Sequence, residues 1–405
     1  MIKISKIKAG LIVSILAFAL YSCDQPTSNS FENDTAELSD PALNSNYIVV
    51  FDTDATEDAA AKGQSIESYR IDILQTASVE LGSVYQEYNT ALGGFAAELS
   101  EAQASQLSND PRVKFLEKDR IVQFAPPCGT PNGGPCDGDG GDDGGGDSSA
   151  QETPYGITRV NGGAAYTGTN VAWILDSGVD LDHPDLSVDA SRGFNAFSKG
   201  KDGKSLDDGN GHGTHVAGTI AALDNTTGVV GVAAGATVVP VKILDSRGSG
   251  SYSGVIAGVD HVAANGDPGD VANMSLGGPV SDALDAAVEN ASSTGIIFVI
   301  AAGNSAEDAN NSSPARANGP NIYTISAMDI NDNWASFSNF GTPPVDYAAP
   351  GVSVLSTWKD GGYNTISGTS MAAPHAAGVL LFGSPATDGS VNGDPDGTPD
   401  PIIVN

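Results

Sequence analysis

From residue 150 onward the chain repeats one pattern, a short apolar run followed by a stretch whose apolar residues fall at helical spacing. The runs lie at 171–175, 237–244, 271–274, 296–301 and 321–327. Short β-type runs separated by helices pair in parallel and are covered from both sides, so the pattern predicts an α/β fold: a parallel sheet flanked by helices. In such sheets ligands gather beyond the carboxyl ends of the strands. Functional residues are therefore expected where an apolar run stops and a helix begins.

Three polar clusters stand at such places. The run Val171-Ala172-Trp173-Ile174-Leu175 leads straight into Asp176-Ser177-Gly178, Gly211-His212-Gly213-Thr214-His215 opens a helix, and Gly368-Thr369-Ser370-Met371-Ala372-Ala373-Pro374-His375 opens another. A carboxylate, an imidazole and a hydroxyl are what nucleophilic acyl transfer needs. A serine hydroxyl attacks poorly until a base takes its proton, and a buried carboxylate fixes the tautomer of that base and stabilises its charged form. The order Asp, His, Ser with these flanks resembles the subtilisin family, and the similarity covers nearly all of 150–382. The resemblance implies a serine endopeptidase, with Asp176 as orienting acid, His212 as general base and acid, and Ser370 as nucleophile. It also implies that Asn304, in Ala301-Ala302-Gly303-Asn304 after a buried run, supplies the oxyanion amide beside the Ser370 backbone N–H. The other histidines, His183, His215, His261 and His375, read as packing or hydrogen-bonding residues, since no zinc spacing emerges.

By the same resemblance Ser275-Leu276-Gly277-Gly278 is one edge of a groove and Gly248-Ser249-Gly250 with Tyr252 is the other. An extended polypeptide would lie between them by β-augmentation. Ala301 and Gly303 would line a small-walled pocket suited to medium or large apolar side chains. A structural Ca²⁺ site is implied from the side chains of Gln151, Asn225 and Asp185 and the carbonyls of Leu223, Thr227 and Val229, an oxygen set suited to that ion. A weaker second site is implied around Asp346.

Ahead of this unit the chain divides further. Lys3, Lys6 and Lys8 precede an apolar run from 9 to 21. That run is too short for a helix of ~20 residues to span a bilayer and reads as a signal peptide over 1–22. Leu20-Tyr21-Ser22-Cys23 resembles a bacterial lipobox, implying lipidation at Cys23, a polar tether at 23–46, and membrane contact only through that anchor. Residues 47–124 are expected to form a small α+β domain of order β-α-β-β-α-β or a near variant. Gly93-Gly94-Phe95-Ala96-Ala97, Asp110-Pro111-Arg112-Val113, Glu117 and Asp119 make it resemble the family's inhibitory propeptide. Residues 125–149 are a Gly/Asp linker in which Cys128 and Cys136 are expected to close a local disulfide.

The resemblance then implies self-cleavage at Ser149–Ala150, with an earlier cut near Phe124 as the alternative. The catalytic domain is expected over 150–383 and an acidic tail over 384–405, where family members continue with helices. The expected product is an exported, surface-bound or secreted monomer of broad specificity. A dedicated processing enzyme and a non-catalytic binding protein remain as alternatives. With 18 Lys and Arg against 50 Asp and Glu, the formal net charge of −32 excludes nucleic acid as a partner.

Overall fold

A computed structural model describes residues 45–123 and 150–405. The signal peptide, Cys23, the linker and its two cysteines lie outside the described residues.

Residues 46–118 build a four-stranded antiparallel sheet in the order Val84–Tyr88, Gly94–Glu98, Asn46–Phe51, Val113–Lys118, with helices Thr53–Ala61, Ile66–Thr76 and Glu101–Ser108. Each helix begins at a polar N-cap, Asp52, Ser65 or Ser100, and Ser100 with Gln103 forms a full capping box. The strand Asn46–Phe51 is apolar on both faces for a reason visible in its packing. Tyr47, Val49 and Phe51 join Ile73, Leu74, Phe95 and Leu107 under the domain's own helices. Ile48 and Val50 instead enter the core of the larger domain beside Val255 and Leu284. One apolar cluster thus joins the two domains.

The larger domain is built on a ten-stranded sheet. From one edge its main path runs Ala386–Ser390, Pro401–Val404, Val345–Pro350, Ile322–Met328, Ile297–Ala301, Val271–Met274, Ala172–Asp176, Thr237–Lys242, Ser187–Val188. All pairings are parallel except the final hairpin of Ala386–Ser390 with Pro401–Val404. Ala172–Asp176 is fully buried and splits its side chains between faces. Trp173 and Leu175 pack with helices Tyr252–Asn265 and Asp282–Ser292, while Ala172 and Ile174 pack with helices His212–Ala221 and Thr369–Leu381. The chain leaves Ala172–Asp176 for the strand on one side and later returns to the other. Asp176 therefore stands at the point where strand order reverses.

The residues read as an acidic tail are folded. Ile403 is fully buried against the helix Thr369–Leu381, and Asn405 N donates to the carbonyl of Val160 at 2.9 Å. Arg159 meets Asp332 at 2.7 Å and the carbonyl of Asp388 at 2.9 Å, which pins the hairpin to the first helix of the domain. A strand closes the sheet here where an acidic tail was expected. Among the described residues no helix is long and apolar enough to cross a membrane.

Candidate active site

The last residue of the strand Ala172–Asp176 and the first of the helix His212–Ala221 meet. His212 Nδ1 lies 2.9 Å from both carboxylate oxygens of Asp176, with the two residues 1% and 0% exposed. Ser177 N donates to Asp176 Oδ1 at 2.7 Å, which steadies the carboxylate further. The helix start is set by Asp208. Its carboxylate accepts the backbone N–H groups of Asn210, Gly211 and Thr214 at 2.9 Å and the hydroxyl of Ser177, also at 2.9 Å. A negative group is favoured at a helix N-terminus, where unpaired amides and the dipole's positive end coincide. Gly211, just before His212, has φ +114°, and a Cβ there would lie 2.3 Å from the Trp358 indole, so only glycine permits this entry.

Ser370 occupies the second position of the helix Thr369–Leu381, 4% exposed. Its hydroxyl donates to the carbonyl of Ser275 at 3.2 Å, and Ser275 Oγ donates to the carbonyl of Ser370 at 2.8 Å. The second bond has a local cause. Pro374 lies four residues on and lacks the N–H that would normally take the Ser370 carbonyl, so the hydroxyl of Ser275 takes it instead. Asn304 Oδ1 accepts from Thr369 N at 2.9 Å and Thr369 Oγ1 at 2.8 Å, which leaves the amide Nδ2 to point elsewhere. A Cβ placed on Gly368 would lie 3.4 Å from Asn304 Nδ2 and 3.7 Å from Ser370 N. Both nitrogens therefore lie close together beside Gly368. Ala302 and Gly303 are held by Asn339, which donates to the carbonyl of Ala302 at 3.0 Å and accepts from Ser305 N at 2.9 Å.

The small domain reaches into the groove. Ile121–Gln123 pairs antiparallel with Ser249–Ser251, placing Val122 opposite Gly250. Val122 is fully buried in one cluster with Tyr252 and Leu276, and the space above Gly278 is closed by Val122 at 3.5 Å. Asp119 accepts from Ser253 N at 3.1 Å and Ser253 Oγ at 2.6 Å, and Glu117 from Ser281 Oγ at 2.5 Å. Two carboxylates thus sit at the starts of two adjacent helices, and burial pushes both carboxyls above the ordinary range. Asp260, on the larger domain, accepts the backbone N–H of Thr90 and of Ala91 at 2.7 Å and that of Asn89 at 3.1 Å.

Residues 167–382 match the Subtilase family, and residues 46–125 match Peptidase inhibitor I9. The chain belongs to the subtilase family. Alkaline serine exoprotease A of Vibrio alginolyticus is 39% identical, over 85% of this chain and 61% of its own length. Subtilisin NAT of Bacillus subtilis subsp. natto is 38% identical over 80% of this chain and 82% of its own. The extracellular serine proteinase of Thermus sp. (strain Rt41A) is 36% identical over 92% and 88%. A solved cold adapted subtilisin-like serine proteinase superposes with a TM-score of 0.54 at 38% identity, covering 62% of this chain and 97% of that one. The α/β fold with its preceding inhibitor domain is the subtilisin-like one, and the protein is a subtilisin-like serine endopeptidase made with its own propeptide.

Subtilisins in general bind calcium. In this subtilase Asp185 is 1% exposed and receives only uncharged donors: Asn225 Nδ2 at 2.6 Å, Val229 N at 3.0 Å and the hydroxyl of Tyr363 at 3.3 Å. Burial pushes its carboxyl above the ordinary range, with the bonds from Val229, Asn225 and Tyr363 and the nearby His183 acting the other way. Gln151 Nε2 donates to the carbonyl of Leu223 at 2.9 Å, and Thr227 N to Asn225 Oδ1 at 2.7 Å. A buried carboxylate bonded by uncharged donors, near a carbonyl and two amides that can turn either end inward, fits a hard divalent cation. Asp346 accepts only Thr324 N, at 2.9 Å, and burial pushes its carboxyl up to about 6.

The remaining histidines are tied to backbone. His215 Nε2 meets the carbonyl of Val354 at 2.9 Å and His375 Nδ1 that of Met371 at 2.8 Å, and burial pushes the two down to about 3 and about 4. His183 and His261 bond the carbonyls of Gly362 and Arg192. Sequence reading missed Asp208, Asp260, Asn339 and Thr369. Asp208 carried the one available signal, a carboxylate four residues before a helix-opening histidine.

Proposed function

We propose that Asp176, His212 and Ser370 carry out peptide-bond hydrolysis by way of an acyl-enzyme. The observation that carries this reading is the hydrogen bond from His212 Nδ1 to the buried Asp176 carboxylate. It fixes the tautomer in which Nε2 is the basic nitrogen. The Ser370 hydroxyl turns from the Ser275 carbonyl to His212 and gives its proton to Nε2 as Oγ bonds the scissile carbonyl carbon. The carbonyl oxygen becomes an oxyanion received by Asn304 Nδ2 and Ser370 N. His212 then passes the proton to the departing amine as the C–N bond breaks. Water repeats the sequence on the ester, returning the hydroxyl to Ser370 and releasing the acid.

Substrates bind as an extended strand between Ser249–Ser251 and residues 275–278, the place Ile121–Gln123 now takes. Gly248, Gly250, Leu276, Gly277 and Gly278 contribute backbone or close approach, Tyr252 backs the groove, and Ala301 and Gly303 line the primary pocket. Because the ladder is made of main-chain groups, it selects weakly among side chains, and broad specificity follows. The propeptide is cut by the enzyme's own site, with the final bond at Ser149–Ala150. Ca²⁺ is held by Gln151, Asp185, Leu223, Asn225, Thr227 and Val229, with Asp346 marking a weaker second site. Export by the signal peptide and lipidation of Cys23 place the precursor at a bacterial surface. Cleavage beyond the linker then releases a monomeric protease.

The test is the precursor expressed beside a Ser370→Ala version, with cleavage followed by mass spectrometry. The wild type should shorten and digest unfolded protein, and the variant should do neither. Equal cleavage of both after purification would overturn the assignment.

A further inference from the structure

Lys242 takes no part in the reaction above, yet its side chain is only 1% exposed. A buried ammonium is costly unless its three N–H groups all find acceptors. Here they do. Nζ lies 2.5 Å from the carbonyl of Ser177, 3.1 Å from the carbonyl of Asp207 and 3.5 Å from Asp202 Oδ1. The first two acceptors sit on the segments that carry the reacting groups. Ser177 follows Asp176, and Asp207 precedes Asp208, the residue that caps the helix of His212. Lys242 is also the register partner of Asp176 on the adjacent strand.

The two segments touch backbone to backbone. Gly178 has φ +102°, and a Cβ there would lie 2.4 Å from the carbonyl oxygen of Leu206. No side chain can pack between them, so two carbonyl oxygens point toward a shared buried space. Without a cation there, their mutual repulsion would push the segments apart. We propose that Lys242 is a positioning residue. By bridging the carbonyls of Ser177 and Asp207, its ammonium holds the turn after Asp176 and the helix of His212 at the separation their hydrogen bond requires. This rests on the assignment of Asp176, His212 and Ser370 as the reacting set. It adds that their alignment depends on a charge behind the site, where small displacements are expensive for catalysis.

The experiment uses Lys242→Met, with Lys242→Arg as the conservative rescue, in the full-length chain. For each matured enzyme kcat and KM are measured on a peptide substrate, and binding of the separately made inhibitor domain, anchored at Ser281 and Asp260, together with circular dichroism reports an intact fold. In a Ser370→Ala background, which needs no turnover, proton NMR reads the His212 Nδ1–H engaged with Asp176. Lys242→Met should lose about 10- to 100-fold in kcat with KM within about twofold, and the low-field signal should move or broaden. Lys242→Arg should recover most of both. Should Lys242→Met not fold, Lys242→Gln replaces it, being too short to reach both carbonyls, and the same losses are expected. An unchanged kcat and signal in the Met or Gln variant, whatever happens to thermal stability, would overturn the proposal and leave a plain core lysine. A Ser370→Ala enzyme that still hydrolyses protein would instead sink the catalytic assignment, so the two failures are distinct.

Discussion

Ser275 and Ser370 hold each other from both directions, each hydroxyl donating to the other's carbonyl, at 2.8 Å and 3.2 Å. The strand end that forms one wall of the groove is thereby fixed to the helix that presents the hydroxyl. One of the two bonds exists because Pro374 leaves a helical carbonyl without its usual donor.

Ser275→Ala should therefore cost about 1 kcal/mol of stability, the ordinary worth of one buried hydrogen bond, and lower kcat several-fold with little change in KM. In a Pro374→Ala background the restored N–H can take the Ser370 carbonyl, so the stability cost of Ser275→Ala should shrink. Chemical denaturation of the four variants forms a double-mutant cycle, and strict additivity would contradict this account.

Asp260 gathers three backbone N–H groups of the inhibitor domain on one carboxylate. Charge-assisted bonds of this kind are about twice as strong as neutral ones. Asp260→Ala should weaken inhibition by the separately made propeptide about 10- to 100-fold while leaving kcat on small substrates unchanged. Slow-binding inhibition assays read both quantities.

The closing hairpin carries a pH dependence of defined sign. Asp400 is 2% exposed, accepts from the hydroxyl of Ser326 at 2.6 Å, and has no cationic partner among the described residues. Burial, with Asp394 and Asp396 adding to it, pushes its carboxyl up to about 7, far above its unfolded value. A raised acid binds its proton more tightly when folded. Its contribution to stability is therefore complete below about pH 4 and is lost as pH rises through about 7. Thermal unfolding between pH 5 and pH 8 should show this loss in the wild type. Asp400→Asn, which keeps an acceptor for Ser326, should flatten the slope, and an identical slope in both would refute the assignment.

Removal of calcium should lower the unfolding temperature by several degrees, since a ligand bound only to the folded state stabilises by mass action. Asp185→Asn should remove most of the difference between calcium and chelator. A chelator without effect on the wild-type protein would eliminate the site.

The residues proposed to react were legible as candidates because each sits inside its own short motif, where an apolar run ends or a helix starts. The strands bearing them were legible for the same reason, being buried on both faces and hence continuously apolar. What escaped was long-range pairing. Lys242 reads as a polar interruption in the run 237–244, because nothing nearby in sequence announces the carbonyls of Ser177 and Asp207. Asp260 looks like an ordinary charged position on a helix until the turn at 89–91 lies across it. Residues 384–405 look like loose acidic coil, since three apolar residues, Ile402 to Val404, are too few to declare a strand. They fold because an open sheet edge is waiting for them.

The strand Ile121–Gln123 fills its groove through the same kind of main-chain ladder that a substrate would use. While the inhibitor domain is tethered, it faces that groove at an effective concentration on the order of millimolar, well above most competing chains. A cut between the two domains would remove that advantage. The contacts that close the groove in one continuous chain would loosen with dilution if that chain were cut.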